Sequence, residues 1–292
     1  MAAPMPGPAY QGLSRTIQIP ASVLSVDDFR RLFVDLDALT REVTSVQIDL
    51  LQLPAGVAPA DFASLKQKAK AEAGVVMYVY GRNGEQVALH AAATIIPEVL
   101  PDRLANITFD SGARFKIQLN YDPLNRFRLI FDFTESPVVV GYDPWNQPTP
   151  NGSQFEIIGS NQTWVAGVSD RVLSFLGARR RSRRWLHGAT AFTLLNWFIG
   201  LPASFWLIYR LDSVTQRLTS DLPSALRVGV YVYIFLLVLL AFRALIYILR
   251  WLFPIIELEG SRSKAARATG GVVALGLVTA LIYYDVLKAA FK

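Results

Sequence analysis

Three long apolar stretches dominate the last third of the chain, and the rest of the chain has none of comparable length. The stretches cover residues 186–208, 228–249 and 269–287. Each is close to the ~20 residues that an α-helix needs to cross the hydrocarbon layer of a bilayer. The pattern therefore predicts an all-α membrane domain of three transmembrane helices over residues 186–292, preceded by a folded N-terminal domain.

The N-terminal part alternates between strand and helix periods. Residues 16–20 predict a short strand. Ser25 is followed three residues later by Asp28, as in a capping box, and apolar residues then recur at helical spacing on one face. These apolar residues are Phe29, Leu32, Phe33, Leu36 and Leu39. After this first helix we expect a strand over residues 46–51 and a second helix over residues 61–73.

A β-hairpin is predicted around Asn83-Gly84. This dipeptide favours a two-residue type I′ turn, because both central residues of that turn take a positive φ. With this turn Tyr80 faces Val87. Both faces of the hairpin are apolar, which predicts two central strands and an interior position for His90.

A second hairpin is predicted from two segments that alternate apolar and polar residues, 114–121 and 127–134. Pointing both apolar sets inward places Lys116 opposite Asp132 and Asp122 opposite Arg126. The basic residues of this region form a candidate ligand patch, half neutralised by those carboxylates. The patch consists of Arg114, Lys116, Arg126 and Arg128.

A loop, a strand and a helix lead from this region to the first apolar stretch. Residues 136–153 are rich in Pro, Gly and Asn and predict either a linker or a loop packed on the domain, followed by an edge strand over residues 154–158. Thr163 is placed to cap a helix with one apolar stripe, which consists of Trp164, Val168, Val172 and Phe175. An arginine collar follows, made of Arg179, Arg180, Arg181, Arg183 and Arg184.

Together these patterns predict an α+β cytosolic head, with a mixed or antiparallel sheet and two or three helices, followed by the membrane domain. We expect a disordered segment over residues 1–15 and a cytosolic sensor or binding domain over residues 16–160. An amphipathic connector helix with the arginine collar then covers residues 161–185, and the three spans lie within residues 186–292. Any signal from the head has to pass through the connector to reach the bilayer.

Basic residues orient the predicted spans. The arginine collar lies directly before the first span, and Lys/Arg clusters close to a span stay on the cytoplasmic side. Nine Lys/Arg then lie on the side of the head and five on the other side. We therefore expect an integral protein of a bacterial inner membrane, with a cytoplasmic N-terminus and an external C-terminus. The collar itself predicts contact with anionic lipid headgroups or with another anionic ligand.

The charge is divided unevenly along the chain. The net charge of +6 would by itself indicate a nucleic-acid-binding protein. Up to Ser174, however, 14 Lys/Arg stand against 18 Asp/Glu, a net charge of −4, so the basic surplus lies in the membrane half. The charge of the head therefore does not favour nucleic acid as a partner.

Polar and small residues interrupt the predicted spans. Asn196 and Arg243, with Asp285 near the outer end of the third span, are candidates for an interhelical or pore-lining role. Arg243 also lies close enough to the end of its span for the side chain to reach the cytoplasmic interface. Gly200 and Pro202 predict a kink in the first span. Small residues for close helix packing lie in the third span at Gly270, Ala274, Gly276 and Ala280.

No catalytic motif stands out in the sequence. The chain lacks a P-loop, a G-x-G-x-x-G after a strand, an H-E-x-x-H motif and a nucleophile elbow, and it has two histidines. The absence of cysteine excludes disulfides, thiolate catalysis and cysteine-ligated metal sites. We expect no enzyme activity, no cofactor and no metal site.

The combination of a folded head, a covalent connector and polar spans predicts a membrane effector. In this hypothesis the head senses a cytosolic ligand, either a protein or a nucleotide-like molecule, and controls a homo-oligomeric ion channel, pore or membrane-disrupting assembly. In layout the chain resembles bacterial membrane effectors of anti-phage defence, which pair a cytosolic sensor with a few spans. The alternative is a membrane-tethered scaffold, adaptor or regulatory subunit whose spans only anchor and self-associate.

Overall fold

A computed structural model describes most of the chain as two compact units. It describes residues 12–53, 56–119, 122–134, 149–180, 182–259 and 269. Unit 1 consists of residues 1–134, 151–181 and 255–260, and unit 2 of residues 135–150, 182–254 and 261–292. The predicted third span lies outside the described residues, together with Gly270, Ala274, Gly276, Ala280 and Asp285.

Unit 1 is an α+β domain, as predicted. Its strands are β1 (Leu13–Gln18), β2 (Ser22–Leu24), β3 (Val76–Gly81), β4 (Gln86–Leu89), β5 (Leu104–Asp110), β6 (Arg126–Asp132), β7 (Gln154–Gly159) and β8 (Ile256–Leu258). Its helices are α1 (Val26–Leu50), α2 (Pro59–Glu72), α3 (Ala113–Leu119) and α4 (Gln162–Ala178). Short 3₁₀ helices cover Ala92–Thr94 and Pro97–Val99.

Six strands form one antiparallel sheet in the order β1-β7-β6-β5-β3-β4. Alternate residues of the central strands are buried on one face, where α1 and α4 pack. Phe29 of α1 meets Phe131 edge-on with ring centroids 5.5 Å apart, and Trp164 of α4 lies 6.4 Å from Phe127. The other face carries mostly polar, partly exposed side chains, so the core lies on the helix side of the sheet.

Helix α1 begins with the predicted capping box. The Ser25 hydroxyl accepts a hydrogen bond from the backbone N–H of Asp28 (3.1 Å), and the Asp28 carboxylate accepts one from the backbone N–H of Ser25 (3.0 Å). The helix continues to Leu50, so the predicted strand over residues 46–51 is wrong. The buried stripe of the helix extends to Ile48, and the β-branched residues that favoured a strand form its last turns instead.

The β3–β4 hairpin has a different register from the predicted one. The backbone N–H of Gly81 donates to the carbonyl of Glu85 (2.8 Å), so the loop has three residues. Gly84 in this loop takes a φ of +90°, as in a three-residue hairpin loop with a glycine bulge. Tyr80 consequently pairs with Gln86, one residue before the predicted partner. The second strand, β4, is an edge strand and not a central one.

The second predicted hairpin is wrong in its first strand, residues 114–121. Helix α3 forms there because the Asp110 carboxylate accepts hydrogen bonds from the two backbone N–H groups that open it (2.8 and 3.1 Å). The apolar alternation also satisfies helical spacing, since Phe115 and Leu119 are four residues apart and pack together, while Ile117 is 72% exposed. Strand β6 forms as predicted, but one of its neighbours is β5, a strand that the sequence pattern did not indicate.

Strand β7 lies inside the sheet, between β1 and β6, and not at the predicted edge. Helix α4 follows it, with Asn161 rather than Thr163 as the N-cap, because the Asn161 side chain accepts a hydrogen bond from the backbone N–H of Trp164 (3.1 Å). The indole N–H of Trp164 donates to the carbonyl of Leu39 in α1 (3.2 Å). Helix α4 is therefore part of the core of unit 1.

A second, two-stranded sheet contains the segment through which the chain returns to unit 1. Strand β8 pairs in parallel with β2. The backbone N–H of Ser22 donates to the carbonyl of Ile255 (2.9 Å), and that of Glu259 donates to the carbonyl of Leu24 (2.8 Å). The residues before and after the main part of unit 2 thus belong to one domain.

Unit 2 contains two long apolar helices. The first helical segment joins α5 (Ala189–Leu195), a π-helical turn (Asn196–Gly200) and α6 (Leu201–Leu218), and the second is α7 (Ser224–Leu252). Over Thr190–Leu218 and Ser224–Leu252 both are long and apolar enough to cross a membrane, and only 17% and 6% of their most apolar windows are buried. Among the described residues, two of the three predicted spans are therefore present as helices.

The first of these helices is distorted where a kink was predicted. The backbone N–H of Leu201 donates to the carbonyl of Asn196, five residues earlier, which is the hydrogen bond of a π-helix. Pro202 follows and has no N–H to donate. A Cβ atom on Gly200 would lie 2.6 Å from the ring of Phe242 in α7. The glycine therefore allows the two helices to approach closely.

Candidate functional site

A pocket of about 330 Å³ opens on the polar face of the sheet in unit 1. This volume is within the range of small-molecule sites. Strands β5, β6 and β7 contribute its floor, and α3 forms a wall. The lining residues are Asp110, Gly112, Ala113, Lys116, Asp122, Arg126, Phe127, Arg128, Glu156 and Ile158.

The register of the sheet aligns the charged residues of the floor. Arg128 on β6 pairs with Asp110 on β5 and with Glu156 on β7. Arg126 precedes Arg128 by two residues and therefore projects from the same face. Neighbouring strands are only ~4.8 Å apart, so the sheet holds side chains of opposite charge close together.

Ion pairs connect α3 with the floor of the pocket and join residues within the floor. Lys116 Nζ lies 3.3 Å from Asp122 Oδ1, and Arg126 Nη1 lies 3.1 Å from Asp122 Oδ2. Arg128 Nη2 lies 3.4 Å from Asp110 Oδ2. Burial raises the pKa of Asp122, but hydrogen bonds from Arg126 and Lys116 outweigh burial and hold this pKa below its ordinary value. The Asp122 carboxylate is therefore charged at neutral pH.

The remaining carboxylate of the pocket, Glu156, contacts a neutral side chain. Gln154 Nε2 donates to Glu156 Oε1 at 2.8 Å.

Tyr78 and Tyr80 lie on the same sheet face, with ring centroids 6.4 Å apart. Burial raises the pKa of the Tyr78 phenol, and the charge of Asp110 raises it further. Because β3 pairs with β5, Tyr78 borders the floor of the pocket on the side of Asp110.

The structure brings three of the four predicted patch residues together. Lys116, Arg126 and Arg128 line the pocket, and Arg114 does not. The guanidinium group of Arg114 donates to the carbonyls of Glu72 (3.1 Å) and His90 (2.6 Å), so it ties the end of α2 to the chain after β4. His90 itself is exposed, which contradicts its predicted interior position.

The two predicted charge pairs differ in outcome. Lys116 does not oppose Asp132, because Lys116 lies on helix α3 and not on a strand next to β6. Asp122 and Arg126 do form an ion pair, but as residues four apart in the chain rather than across a hairpin. The sequence offered no signal for Asp110 and Glu156, because their approach to Arg128 depends on the pairing of β5 and β7 with β6.

A second feature lies where the chain leaves unit 1 and returns to it. The segment of residues 22–28, which we name the clasp, contacts both places. Its Asp28 carboxylate pairs with Arg179 at the end of α4. Its Ser22 forms an isolated β-bridge with Arg180, and the backbone N–H of Ser22 donates to the carbonyl of Ile255 in the returning chain. The clasp therefore contacts the residues that precede the main part of unit 2 in the chain and also the residues that follow it.

The arginine collar is not uniform. Arg179 is engaged inside unit 1, because it pairs with Asp28, donates to the carbonyl of Phe175 (3.1 Å) and lies 3.8 Å from the centroid of the Phe175 ring. Arg180 is exposed. Arg181 and the side chains of Arg183 and Arg184 lie outside the described part of the structure.

The polar residues of unit 2 have different environments. Asn196 Oδ1 is buried and has no hydrogen-bond partner among the described residues. The Ser204 hydroxyl donates to the carbonyl of Gly200 (2.8 Å). Near the turn between the two helices, the Tyr231 hydroxyl donates to Asp212 Oδ1 (2.6 Å). Within the described part of the predicted spans, Asn196 thus has unused hydrogen-bonding capacity.

Two arginines of α7 contact one aromatic ring of α5. The guanidinium carbons of Arg243 and Arg250 lie 5.6 and 5.1 Å from the centroid of Phe192. Arg250 is only 2% exposed and donates to the carbonyls of Leu186 (3.0 Å) and Gly188 (3.2 Å). In the sequence, Arg250 counts only as one of the nine Lys/Arg on the side of the head. Its spacing of seven residues from Arg243, which places both on one helix face, was the available signal.

His187 lies next to this cluster and is buried. Its Nδ1 lies 3.1 Å from Thr149 Oγ1. The His187 side chain therefore serves as a packed interior residue.

Among the described residues, no group of three or more His, Cys, Asp or Glu is arranged to hold a metal ion. No protein-family model matches the chain, and neither a curated protein nor a solved structure shows significant similarity to it.

Proposed function

We propose that the chain is an integral membrane effector, in which a ligand bound by unit 1 controls an oligomer of the membrane helices of unit 2. Unit 1 faces the cytosol, and the oligomer acts as an ion channel, a pore or a membrane-disrupting assembly. The observation that carries the proposal is the clasp. It contacts the residues that lead into the main part of unit 2 and also the residues that return from it.

The clasp offers a physical route from ligand to membrane. It continues directly into α1, and α1 packs on the same sheet whose opposite face carries the pocket. Because protein cores are close-packed and transmit small displacements, a ligand that shifts β5, β6 or β7 acts on α1. A shift of α1 changes the Asp28–Arg179 pair and the β2–β8 pairing. The chain segment that leads to α5 and the segment that follows α7 are therefore displaced together.

The surface of unit 2 supports both membrane residence and self-association. Its helices expose large apolar side chains such as Phe198 (74%) and Tyr233 (63%), which is unfavourable in water and favourable in lipid. The same exposed apolar faces are available to pack against the helices of a second copy, which supports a homo-oligomer.

Membrane potential in bacteria that express the full-length chain tests this function. A potential-sensitive dye should report depolarisation. Asn196→Leu and Arg243→Leu should abolish or change it, since each replaces a polar group of the spans by an apolar one. Ser213→Leu makes the same kind of change at an exposed position of α6 and should have no effect. An intact potential under every activating condition contradicts the proposal.

A membrane-tethered scaffold or regulatory subunit is the second candidate. It is supported by the polar contacts that are satisfied inside unit 2, namely Tyr231 with Asp212 and Arg250 with two backbone carbonyls. These contacts stabilise a helix pair without requiring a conducting path. Unchanged function of both leucine variants would favour this candidate over a pore.

The bacterial setting of the proposed effector can be tested separately. The resemblance in layout to effectors of anti-phage defence implies that the assembly permeabilises the membrane of an infected cell. Expression should then reduce the number of plaques formed by at least some phages, and Asn196→Leu should restore it. Equal plaque numbers for all phages tried would remove this role but not the membrane function.

A further inference from the structure

The pocket of unit 1 has more hydrogen-bond donors than its own carboxylates use. Lys116, Arg126 and Arg128 each carry several N–H donors, and among the described residues each of them contacts one carboxylate. Their side chains remain 64%, 39% and 56% exposed. Both oxygens of Asp122 are occupied by Lys116 and Arg126, and Asp110 also accepts the two N–H groups that open α3. The capacity left for a ligand is therefore donor capacity at the three basic residues, together with acceptor capacity at Glu156, whose Oε1 accepts from Gln154.

Two of these donors have a fixed spacing. Arg126 and Arg128 project from the same face of β6, two residues and thus ~6.8 Å apart along the strand. Planar guanidinium groups at this spacing can both contact one phosphoryl or diphosphoryl group, which they bind with paired hydrogen bonds. Lys116 adds a third positive charge from α3. The arrangement favours an anion with several oxygens over a single carboxylate.

Asp122 occupies the place that such an anion would take. Its two oxygens bridge Lys116 and Arg126, at 3.3 and 3.1 Å. Asp122 lies between α3 and β6, outside regular secondary structure. It can therefore be displaced without breaking a helix or a strand.

We propose that this pocket binds the phosphoryl group of a phosphorylated small molecule, which displaces Asp122 from Lys116 and Arg126. This inference rests on the proposed function, for which it names the class of the ligand. Glu156 lies across the strand pair from Arg128 and accepts a hydroxyl or amino group of the ligand. Asp122 acts as an internal competitor that sets the ligand concentration at which unit 1 responds.

Binding of inorganic pyrophosphate to the full-length chain in phosphatidylcholine nanodiscs tests the proposal by calorimetry. Asp122→Asn should lower the Kd by about threefold or more, because it removes the competing charge and keeps the shape of the side chain. Arg128→Gln should raise the Kd by about tenfold or more, because it removes a charge-assisted donor. Arg126→Gln should act in the same direction, and thermal melting shows which variants are folded.

Matched controls separate local from overall charge effects. Asp61→Asn and Arg31→Gln change the net charge as the test variants do, but neither residue lines the pocket. Both should leave the Kd within about twofold of the wild-type value, since exposed charges at a distance are screened by salt. A Kd for Asp122→Asn that is unchanged or higher overturns the proposal. Wild-type binding by folded Arg128→Gln and Arg126→Gln overturns it as well.

The binding measurement separates this inference from the proposed function. Pyrophosphate binding without any membrane activity would contradict the effector function and leave the ligand class standing. Membrane activity without pyrophosphate binding would contradict the ligand class alone.

A phosphoryl group can also belong to a lipid headgroup, and a second set of nanodiscs containing phosphatidic acid distinguishes this source. If the headgroup of phosphatidic acid enters the pocket, it competes with pyrophosphate. The Kd for pyrophosphate is then higher in these nanodiscs than in phosphatidylcholine nanodiscs at the same ionic strength. An unchanged Kd assigns the site to a soluble molecule. Absence of pyrophosphate binding in phosphatidylcholine nanodiscs overturns the proposal for both sources.

Discussion

At the scale of single residues, Asp28 shows how one carboxylate joins local and distant structure. It completes the cap of α1 by accepting from Ser25, and it pairs with Arg179, which lies 151 residues later. Burial raises its pKa, but the hydrogen bonds from Arg179 and Ser25 outweigh burial, so this pKa lies below its ordinary value of 3.8. The cap was predictable because its residues are three apart. The partner Arg179 was not, because no local pattern relates residues so distant in the chain.

Asn in place of Asp28 should destabilise unit 1. Asp28→Asn should lower the free energy of unfolding by about 1–3 kcal/mol, because the amide weakens the cap and leaves the partly buried Arg179 without its anion. The pH dependence has a defined sign. Since the folded pKa is depressed, the contribution of Asp28 is complete above 3.8 and is lost as the pH falls through the lower folded value. Melting temperatures measured from neutral to acidic pH check this.

Asp27→Asn is the matched control for this substitution. Asp27 also lies in the first turn of α1, but its side chain is 70% exposed and pairs with Arg30 on the surface. Its loss should cost less than about 1 kcal/mol. The gap between wild type and Asp28→Asn should narrow below pH 3.8, and a gap that stays constant there would contradict the assigned role.

At the scale of elements, local signals predicted helices better than strand pairing. The start of α1 and the position of α2 follow from capping and periodicity, which act within one turn. Helix α3 was misread because its seven residues satisfy strand and helix spacing alike. The β3–β4 register is off by one residue because Asn83-Gly84 is compatible with two loop lengths. The pocket depends on how strands pair, so Arg126 and Arg128 could be placed on one face but their carboxylate neighbours could not.

The β3–β4 loop should reject a side chain at Gly84. Gly84→Ala should lower the free energy of unfolding by about 1–2 kcal/mol, because an L-residue is strained at a φ of +90°. Gly167→Ala in α4 should have the opposite sign and add up to about 1 kcal/mol, since a Cβ there meets nothing within 4 Å and alanine favours a helix. Thermal melting of the two variants compares them directly, and equal shifts would refute the argument.

The close approach of α6 and α7 should depend on Gly200. Gly200→Val places atoms within the ring of Phe242, so the helices have to separate at a cost of about 1–3 kcal/mol. Gly229→Val adds the same side chain to α7 at a position where a Cβ meets nothing. Thermal melting in detergent should show a clear loss for the first variant and a small change for the second. Similar losses would mean that helix propensity, and not packing, determines both results.

At the scale of the whole molecule, the path of the chain matters most. The two long apolar helices of unit 2 were predictable from hydropathy alone, because each has the ~20 apolar residues that a bilayer-spanning helix needs. The return of the chain into unit 1 was not predictable, because β8 has only three residues and no periodic pattern. Chain connectivity then makes the two helices a hairpin that begins and ends at unit 1.

Single introduced thiols test this arrangement in a chain that has no cysteine of its own. Ser220→Cys lies in the exposed turn between α6 and α7 and should react with a membrane-impermeant maleimide in intact cells. Thr16→Cys lies on exposed β1 and should react only after the cells are opened. The cysteine-free wild type shows the background. Labelling of β1 in intact cells would place unit 1 outside and end the proposed cytosolic role.

Strand β8 also determines the order in which the protein can mature. The ribosome makes β2 long before it makes residues 256–258, and both long apolar helices are synthesised between the two. The second sheet of unit 1 therefore stays incomplete until that hydrophobic segment has left the ribosome. The two apolar helices are therefore synthesised before the N-terminal domain can complete its fold. A recombinant fragment that stops before residue 255 would lack its last strand.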